Sequence, residues 1–422
     1  MTAATERFRI ERLAFGGEAL GRDNRGRVVF VRGGVPGDLV EVEITEEKTT
    51  FARGKLQLVR EPSADRVEPR CTVVDRCGGC PWQMVSTQAQ LAAKQAIVAH
   101  ALRKLEVEVK PIVTAPAQFG YRTRARLQHR LGKLGFVAHH SHEIVEASCS
   151  VLDPQLDDTL ARVRGALAGL LEDEASVAAQ VSPRGQIHLS VSLDTDHPSL
   201  DAVLATSLKL PVVGIEVHTR SSRAKRFLGS ENLNVAEPGE PPFLSSSSGF
   251  AQANHLQNNT LRQLVRAAAS EPFESVLELY AGDGNFSRDL ARLHARGHAI
   301  ESDSAAIDRL NSNLRAWAPA ADWRIERASA EAAVSRLKRA RAKVDLVVLD
   351  PPRQGAGDVI SDLGRLSPRR IVYISCDPMT FARDALDLCK VGYRLESTQP
   401  VEMMPHTSHI ELVSIFDRVG NR

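Results

Sequence analysis

The residues best equipped for chemistry in this 422-residue chain stand in three short motifs near its C-terminus. Asp350-Pro-Pro-Arg353 and Ser375-Cys376-Asp377-Pro378 directly follow the apolar runs Val344–Leu349 and Ile371–Ile374. His406-Thr-Ser-His-Ile-Glu411 opens a third run, Ile410–Phe416. Prolines fix φ and so hold neighbouring side chains in place. A thiol at a strand end acts as a nucleophile when a base or a depressed pKa ionises it. A carboxylate on an adjacent strand can take up a proton. Taken singly, a cysteine is more often core and an edge-strand glutamate more often solvated. Their occurrence together, in order with Asp350-Pro-Pro, favours Cys376 as nucleophile and Glu411 as proton acceptor.

Upstream, Val276-Leu-Glu-Leu-Tyr-Ala-Gly-Asp-Gly-Asn-Phe-Ser287 reads as a strand, a glycine-rich turn and a helix start. Ligands of open α/β sheets bind beyond the carboxyl ends of the strands. Ser287 stands where a dinucleotide fold needs a third glycine, and the turn is acidic through Glu278 and Asp283. That suits a cationic or neutral ligand better than a pyrophosphate. Glu301 ends the next strand, 17 residues after Gly284, where a carboxylate can take both ribose hydroxyls. These features point to S-adenosylmethionine, a sulfonium without phosphate. A thiol beside a methyl donor then has a specific use. Carbon 5 of uracil attacks a methyl group only after a thiolate adds at carbon 6, and a carboxylate must afterwards remove the carbon-5 proton.

Three arginines, Arg122, Arg124 and Arg126, recur at period two in Tyr121–Arg126 and share one face of a strand. Without an anion they would repel one another, so a phosphate backbone is the expected partner, against the plainer reading of a solvated face. A base buried in a duplex is out of reach, which favours an unpaired or flipped uridine. Four of the six cysteines form a second set: Cys71, Cys77 and Cys80, with Cys149 distant. Four cysteines can hold zinc or a 4Fe-4S cluster. Only Cys77-x2-Cys80 is paired, and this spacing slightly favours iron–sulfur. Cys389, among apolar neighbours, reads as helix core.

These residues must be carried by three bodies. Residues 1–61 read as an OB-like β-barrel for RNA binding, with short apolar runs between Gly16-Gly17, Gly33-Gly34 and Pro36-Gly37-Asp38. Residues 62–245 form a central α+β domain with the cysteines and a helix over 86–106, striped by Leu91, Ala92, Ile97, Val98, Leu102 and Leu105. From residue 246 strands and helices alternate, which means a Rossmann-like parallel sheet covered by helices on both faces. Two closing strands without a helix between them are expected to pair antiparallel. Lys plus Arg number 54 against 52 Asp plus Glu, which excludes a uniformly basic coat protein but not a local basic face. No apolar stretch spans a bilayer and no export signal opens the chain, so a cytoplasmic monomer is expected.

The motifs together resemble those of the RNA (uracil-5-)-methyltransferase family. They are Leu279-Tyr-Ala-Gly-Asp-Gly-Asn-Phe, Leu349-Asp-Pro-Pro-Arg, Tyr373-Ile-Ser-Cys-Asp-Pro and Met404-Pro-His-Thr-x-His-Ile-Glu411. The barrel, with Gly33-x-x-Pro-Gly-Asp38, is similar to a TRAM domain. The cysteine spacing resembles that of the iron–sulfur 23S ribosomal RNA enzymes of the family, so the resemblance implies a 4Fe-4S cluster on Cys71, Cys77, Cys80 and Cys149. It also implies cofactor contacts from Gln252, Tyr280, Asn285, Glu301 and Asp350. It favours 23S ribosomal RNA over transfer RNA as substrate. Ala281 replaces a cysteine common in the turn, and Ser329 stands where a polar Asn or Asp is usual near the adenine. An adenine-N6 methyltransferase shares the Asp-Pro-Pro motif, but would need an aromatic where Arg353 stands and has no use for Cys376. A non-catalytic RNA-binding or assembly protein would have no use for both Cys376 and Glu411, and an iron–sulfur electron carrier would leave the catalytic fold unexplained.

Overall fold

The computed structural model describes residues 5–171, 174–193, 199–207, 209–219 and 225–420. Five strands, Thr5–Leu13, Ala19–Arg22, Val28–Val31, Leu39–Glu47 and Phe51–Glu61, close into a barrel in the spatial order first, second, third, fifth, fourth. Alternating side chains point inward, and Phe8, Ile10, Val29, Val31, Val40 and Val42 fill the interior. The cysteine-bearing segment completes that core with Trp82, Met84 and Val85. Barrel and cysteine segment are therefore one packed unit.

The central sheet has seven strands, in the order 225–229, 214–219, 187–193, 176–181, 124–130, 133–137 and 144–145. Its strands Ser176–Val181 and Ile187–Leu193 are buried at every position. One face packs on the helix Pro154–Leu167 through Leu156, Leu160, Val163 and Leu167. The other face buries polar groups, among them Gln180, His188 and Ser190, toward the catalytic domain. The helix 154–167 goes beyond the expected run of strands. Its start is marked by Asp153, which accepts from the amides of Gln155 and Leu156, and by Pro154 in the first turn.

The third sheet has eight strands, ordered 322–327, 296–301, 276–279, 346–349, 370–375, 411–418, 393–401 and 108–109. The first five run parallel. Strand 411–418 inserts antiparallel between 370–375 and 393–401, as the missing helix implied. Gly284, at φ +93°, lies where a Cβ would meet Leu310 at 2.7 Å, so only glycine fits that turn. A helix at Gly357–Leu366 lay outside the sequence reading, because it follows Gly355 and starts without a side-chain cap. Among the described residues no helix is long and apolar enough to cross a membrane.

The helix Thr87–Ala101 is capped by Ser86 and ends short of residue 106. Of the expected stripe Val98 and Leu102 are buried and Ile97 and Leu105 pack against the same core, and Gln90, Lys94 and Ala101 are buried besides. Val98, Ala101 and Leu102 enter the core of the catalytic domain. The two polar residues face a loop that needs them.

Candidate active site

The sheet register assembles the reaction centre. Ser375 pairs with Leu412 across the antiparallel strands, so residues 376 and 411 stand opposite one another. In the parallel ladders Leu279 pairs with Leu349, and Leu349 with Tyr373. Tyr280 and Asp350 therefore leave the sheet at the same level as the start of the Cys376 turn. A cleft of about 650 Å³ opens there, lined by Cys376, Glu411, Asp350, Arg353, His409 and Glu301 among others. A narrower cavity of about 100 Å³ adjoins it and shares Gln252, Tyr280 and Asp350. Asn285 lines the narrower one, where its side chain exchanges amide hydrogen bonds of 2.8 and 2.9 Å with Asn258.

The centre is acidic and dry. Burial pushes the Cys376 thiol up to about 11, helped by the charges of Glu411 and Asp350 and opposed by Arg353. Glu411 is buried, its Oε2 has no hydrogen-bond partner, and burial with the Asp350 charge carries its carboxyl well above the usual range. Burial brings Asp350 up to about 7. A carboxyl kept neutral in this way becomes a strong base once ionised. Arg353 is the cation that eases both Cys376 and Glu411, a role its motif did not announce. His409 also faces the cleft and is held neutral, its pKa lowered to about 4 by burial and by the charges of Arg353 and Arg122.

On the cofactor side, Glu301 Oε2 accepts from the Gly282 amide at 2.8 Å. Its Oε1 accepts from the Ser302 and Asp303 amides at 2.7 and 2.8 Å. These bonds fix the carboxylate at the strand end. Tyr280 takes φ 60°, a left-handed conformation rare for a tyrosine, at the point where the chain leaves the strand. The acidity of the glycine-rich turn is partly spent internally. Asp283 accepts from Arg309 at 2.6 Å, and Glu278 lies buried with the Ser287 hydroxyl donating to it. Asp350 and Glu411 line the cleft, and Asp283, whose Oδ2 has no hydrogen-bond partner, brings part of the turn's acidity to both cavities. Ser329 caps the helix Ala330–Arg339 by accepting from the Ala332 amide at 3.2 Å. Cys389 is half-buried in the helix Pro378–Lys390.

The loop leading to Glu411 is gripped from every side. The His406 amide donates to Gln90 Oε1 at 2.8 Å, while the Trp82 amide donates to the His406 carbonyl at 3.0 Å. The Tyr121 hydroxyl donates to the Pro405 carbonyl at 3.0 Å, and the Gly16 amide, on a barrel turn, to Ser408 Oγ at 3.1 Å. Lys94 and Glu402 form an ion pair of 2.8 Å with both side chains at 0% exposure, and Lys94 also donates to the Met404 carbonyl at 3.2 Å. Sequence reasoning missed Gln90 and Lys94. The signal was present, as polar residues spaced four apart in line with Val98.

The arginine face divides. All three arginines line the cleft. Arg126 is exposed, and Arg122, half-buried, donates to the Arg124 carbonyl at 2.9 Å. Arg124 departs from the expectation, since backbone carbonyls of residues 246, 247 and 249 occupy its guanidinium. The four cysteines are all half-buried. Cys80 is raised to about 12 by burial and by the neighbouring Cys149 and Cys77, with Arg122 opposing. The thiols are thus close enough to feel one another. Among the described residues, however, no three His, Cys, Asp or Glu side chains stand in a metal-holding arrangement.

Residues 192–419 match the family described as tRNA (Uracil-5-)-methyltransferase, and residues 2–57 match the TRAM domain. An RNA methyltransferase of Thermosynechococcus vestitus of uncharacterised role is 33% identical, covering 98% of each chain. The 23S rRNA (uracil(1939)-C(5))-methyltransferase of Yersinia enterocolitica is 32% identical over 93% of this chain and 91% of its own. The fold is similar to the crystal structure of a tRNA (uracil-54, C5)-methyltransferase of Pyrococcus abyssi with S-adenosyl-L-homocysteine. That likeness has a TM-score of 0.77 and 24% identity, and covers 97% of this chain and 100% of the other.

Proposed function

Given that this chain belongs to the tRNA (Uracil-5-)-methyltransferase family, we propose that it methylates carbon 5 of one uridine in 23S ribosomal RNA through a covalent adduct on Cys376. The observation that carries this reading is the register that sets Cys376 opposite Glu411 at the cleft shared by Gln252, Tyr280, Glu301 and Asp350. S-adenosylmethionine supplies the electrophilic methyl when bound in the narrower cavity and the adjoining part of the cleft that Glu301 lines. The minor thiolate form of Cys376, its proton released to solvent and its charge offset by Arg353, bonds to carbon 6, and the electrons of the 5,6 double bond move onto carbon 4 oxygen as an enolate. Carbon 5 then takes the methyl as its bond to sulfonium sulfur breaks. Glu411 accepts the carbon-5 proton, the double bond re-forms, and the thiolate leaves.

Arg353 offsets the charge that develops on Cys376 and Glu411, and the dry walls keep water from competing. Arg122 and Arg126 hold the RNA backbone, and the barrel extends that hold. Support for ribosomal RNA comes from the Yersinia relative, and the TRAM domain supports an RNA substrate. We take a cytoplasmic monomer as the working unit, in keeping with an RNA-modifying enzyme.

We also assign Cys71, Cys77, Cys80 and Cys149 to a 4Fe-4S cluster. An all-thiol donor set fits such a group, and the convergence of the side chains supports it, although they must still move into ligating positions. When bound, the cluster would tie residues 71–80 to the turn at Cys149. Anaerobically purified protein is expected to be brown with four irons per chain; a colourless protein loaded with zinc would contradict the assignment.

The function is tested by incubating the protein with labelled S-adenosylmethionine and either a 23S rRNA or a tRNA transcript, then digesting to nucleosides. Label in 5-methyluridine from the 23S transcript is expected. Label only in the tRNA would move the substrate, and label in another nucleoside would refute the reaction.

A further inference from the structure

Arg124 stands where the central sheet meets the segment entering the catalytic domain. Its guanidinium donates to the carbonyls of Ser246 at 3.2 Å, Ser247 at 3.1 Å and Gly249, and to Gln180 Oε1 at 3.1 Å. A guanidinium has five N–H donors in a rigid fork. Three carbonyls meet at the single nitrogen Nη2 and Nη1 donates to Gln180, so the outer end of the guanidinium is turned to the protein's own backbone. Two more side chains of the same sheet hold the segment. His188 Nδ1 shares a hydrogen bond of 2.8 Å with Ser247 Oγ, and Ser248 Oγ donates to Glu216 at 3.0 Å. From the opposite side Gly249 abuts Arg309, where a Cβ would lie 3.2 Å from Nη2, and Arg309 itself holds Asp283 of the glycine-rich turn. The next three residues, Phe250, Ala251 and Gln252, line both cavities, and Phe250 is 79% exposed at the mouth.

We propose that Arg124 is a positioning residue, which sets the cofactor wall at residues 250–252 by clamping the carbonyls of 246–249, and is not a ligand of RNA phosphate. The clamp makes the central sheet and the cofactor pocket one mechanical unit. It also assigns separate tasks to arginines that share a strand face: Arg126 faces outward to the RNA, and Arg124 faces the backbone of its own chain. The inference rests on reading the narrower cavity as the S-adenosylmethionine site.

The test compares Arg124→Lys, Arg124→Gln and Arg126→Gln in the full chain. Binding of S-adenosylhomocysteine to the RNA-free protein is measured by calorimetry. Hydrogen exchange is followed at residues 246–252, and affinity for a 23S rRNA transcript is followed against salt. Both Arg124 variants should weaken S-adenosylhomocysteine by roughly 10- to 100-fold and speed exchange across 246–252. Lysine should not rescue, because its ammonium ends one bond short of Nη2, where all three carbonyls meet, and it has no second nitrogen for Gln180 Oε1. Their salt dependence should match that of the unaltered chain. Arg126→Gln should leave S-adenosylhomocysteine binding unchanged and reduce the salt slope by about one. Should Arg124→Gln not fold, Arg124→Lys decides. Unchanged cofactor binding and unchanged exchange at 246–252 in that variant would overturn the proposal. If the unaltered chain itself does not bind S-adenosylhomocysteine, the function is what fails, and exchange at 246–252 still judges the clamp.

Discussion

Two loops of this molecule are held in different ways. Residues 402–409 lead into Glu411 and are fixed by the barrel turn, the cysteine segment, the helix Thr87–Ala101 and Tyr121. Residues 71–80 carry three thiols, all half-buried, in positions that do not yet close on an ion. The first loop is preorganised by hydrogen bonds and a buried ion pair supplied by the protein. The second has its backbone anchored, with the Cys71 amide donating to Gln83 at 2.7 Å and Arg32 donating to the Cys77 carbonyl at 2.6 Å. Acid–base geometry is thus built into the fold at the first loop, while the second is anchored through its backbone, and its thiols do not form a metal-holding arrangement among the described residues.

The sharpest way to break this comparison is at the base. Glu411→Gln should lower turnover by roughly 10²- to 10⁴-fold and accumulate the protein–RNA adduct, seen as a slow band on denaturing gels; free turnover would remove Glu411 from its role. Next comes the loop's buried ion pair. Lys94→Met leaves Glu402 unpaired and should cost about 3–5 kcal/mol of stability, because an uncompensated buried charge remains. Chemical denaturation measures it, and a loss under about 1 kcal/mol would show that the pair is not isolated from water. Cys80→Ser should abolish iron binding yet cost the metal-free chain less than Lys94→Met does. Equal costs would erase the contrast between the loops. The smallest effect is on thiol reactivity. With Cys376 raised to about 11, its thiolate is scarce near pH 8, so alkylation in the free protein should be slow and should climb with pH through about 11. Rapid, pH-independent modification at pH 7–8 would contradict the burial and charge described for it.

Much of this site was legible because sheets have strict rules. Apolar strands followed by Asp350 and Cys376 had to place those residues at the carboxyl edge, and the two closing strands without an intervening helix had to pair antiparallel; that the last of them inserts beside 370–375, and so sets Cys376 opposite Glu411, was not legible. What stayed hidden depends on contacts between distant segments. Gln90 and Lys94 sit on a helix face that periodicity marks as wrong for burial, until the loop they hold is known. Arg124 obeys the same period as Arg126, yet the carbonyls that claim it come from a segment more than a hundred residues away. Asp283 looked unpartnered because Arg309, which pairs with it, lies on another helix. Helix 357–366 escaped notice since glycines mark its start where a cap would normally stand.

The central claim is that Cys376 bonds to the pyrimidine ring. RNA containing 5-fluorouridine lacks the proton Glu411 must remove, so the adduct cannot collapse. With S-adenosylmethionine and the unaltered chain, a covalent complex should form whose digested peptide carries the modified nucleotide on Cys376. A Cys376→Ala chain that still forms the complex, or a nucleotide mapped to any other residue, would contradict the account.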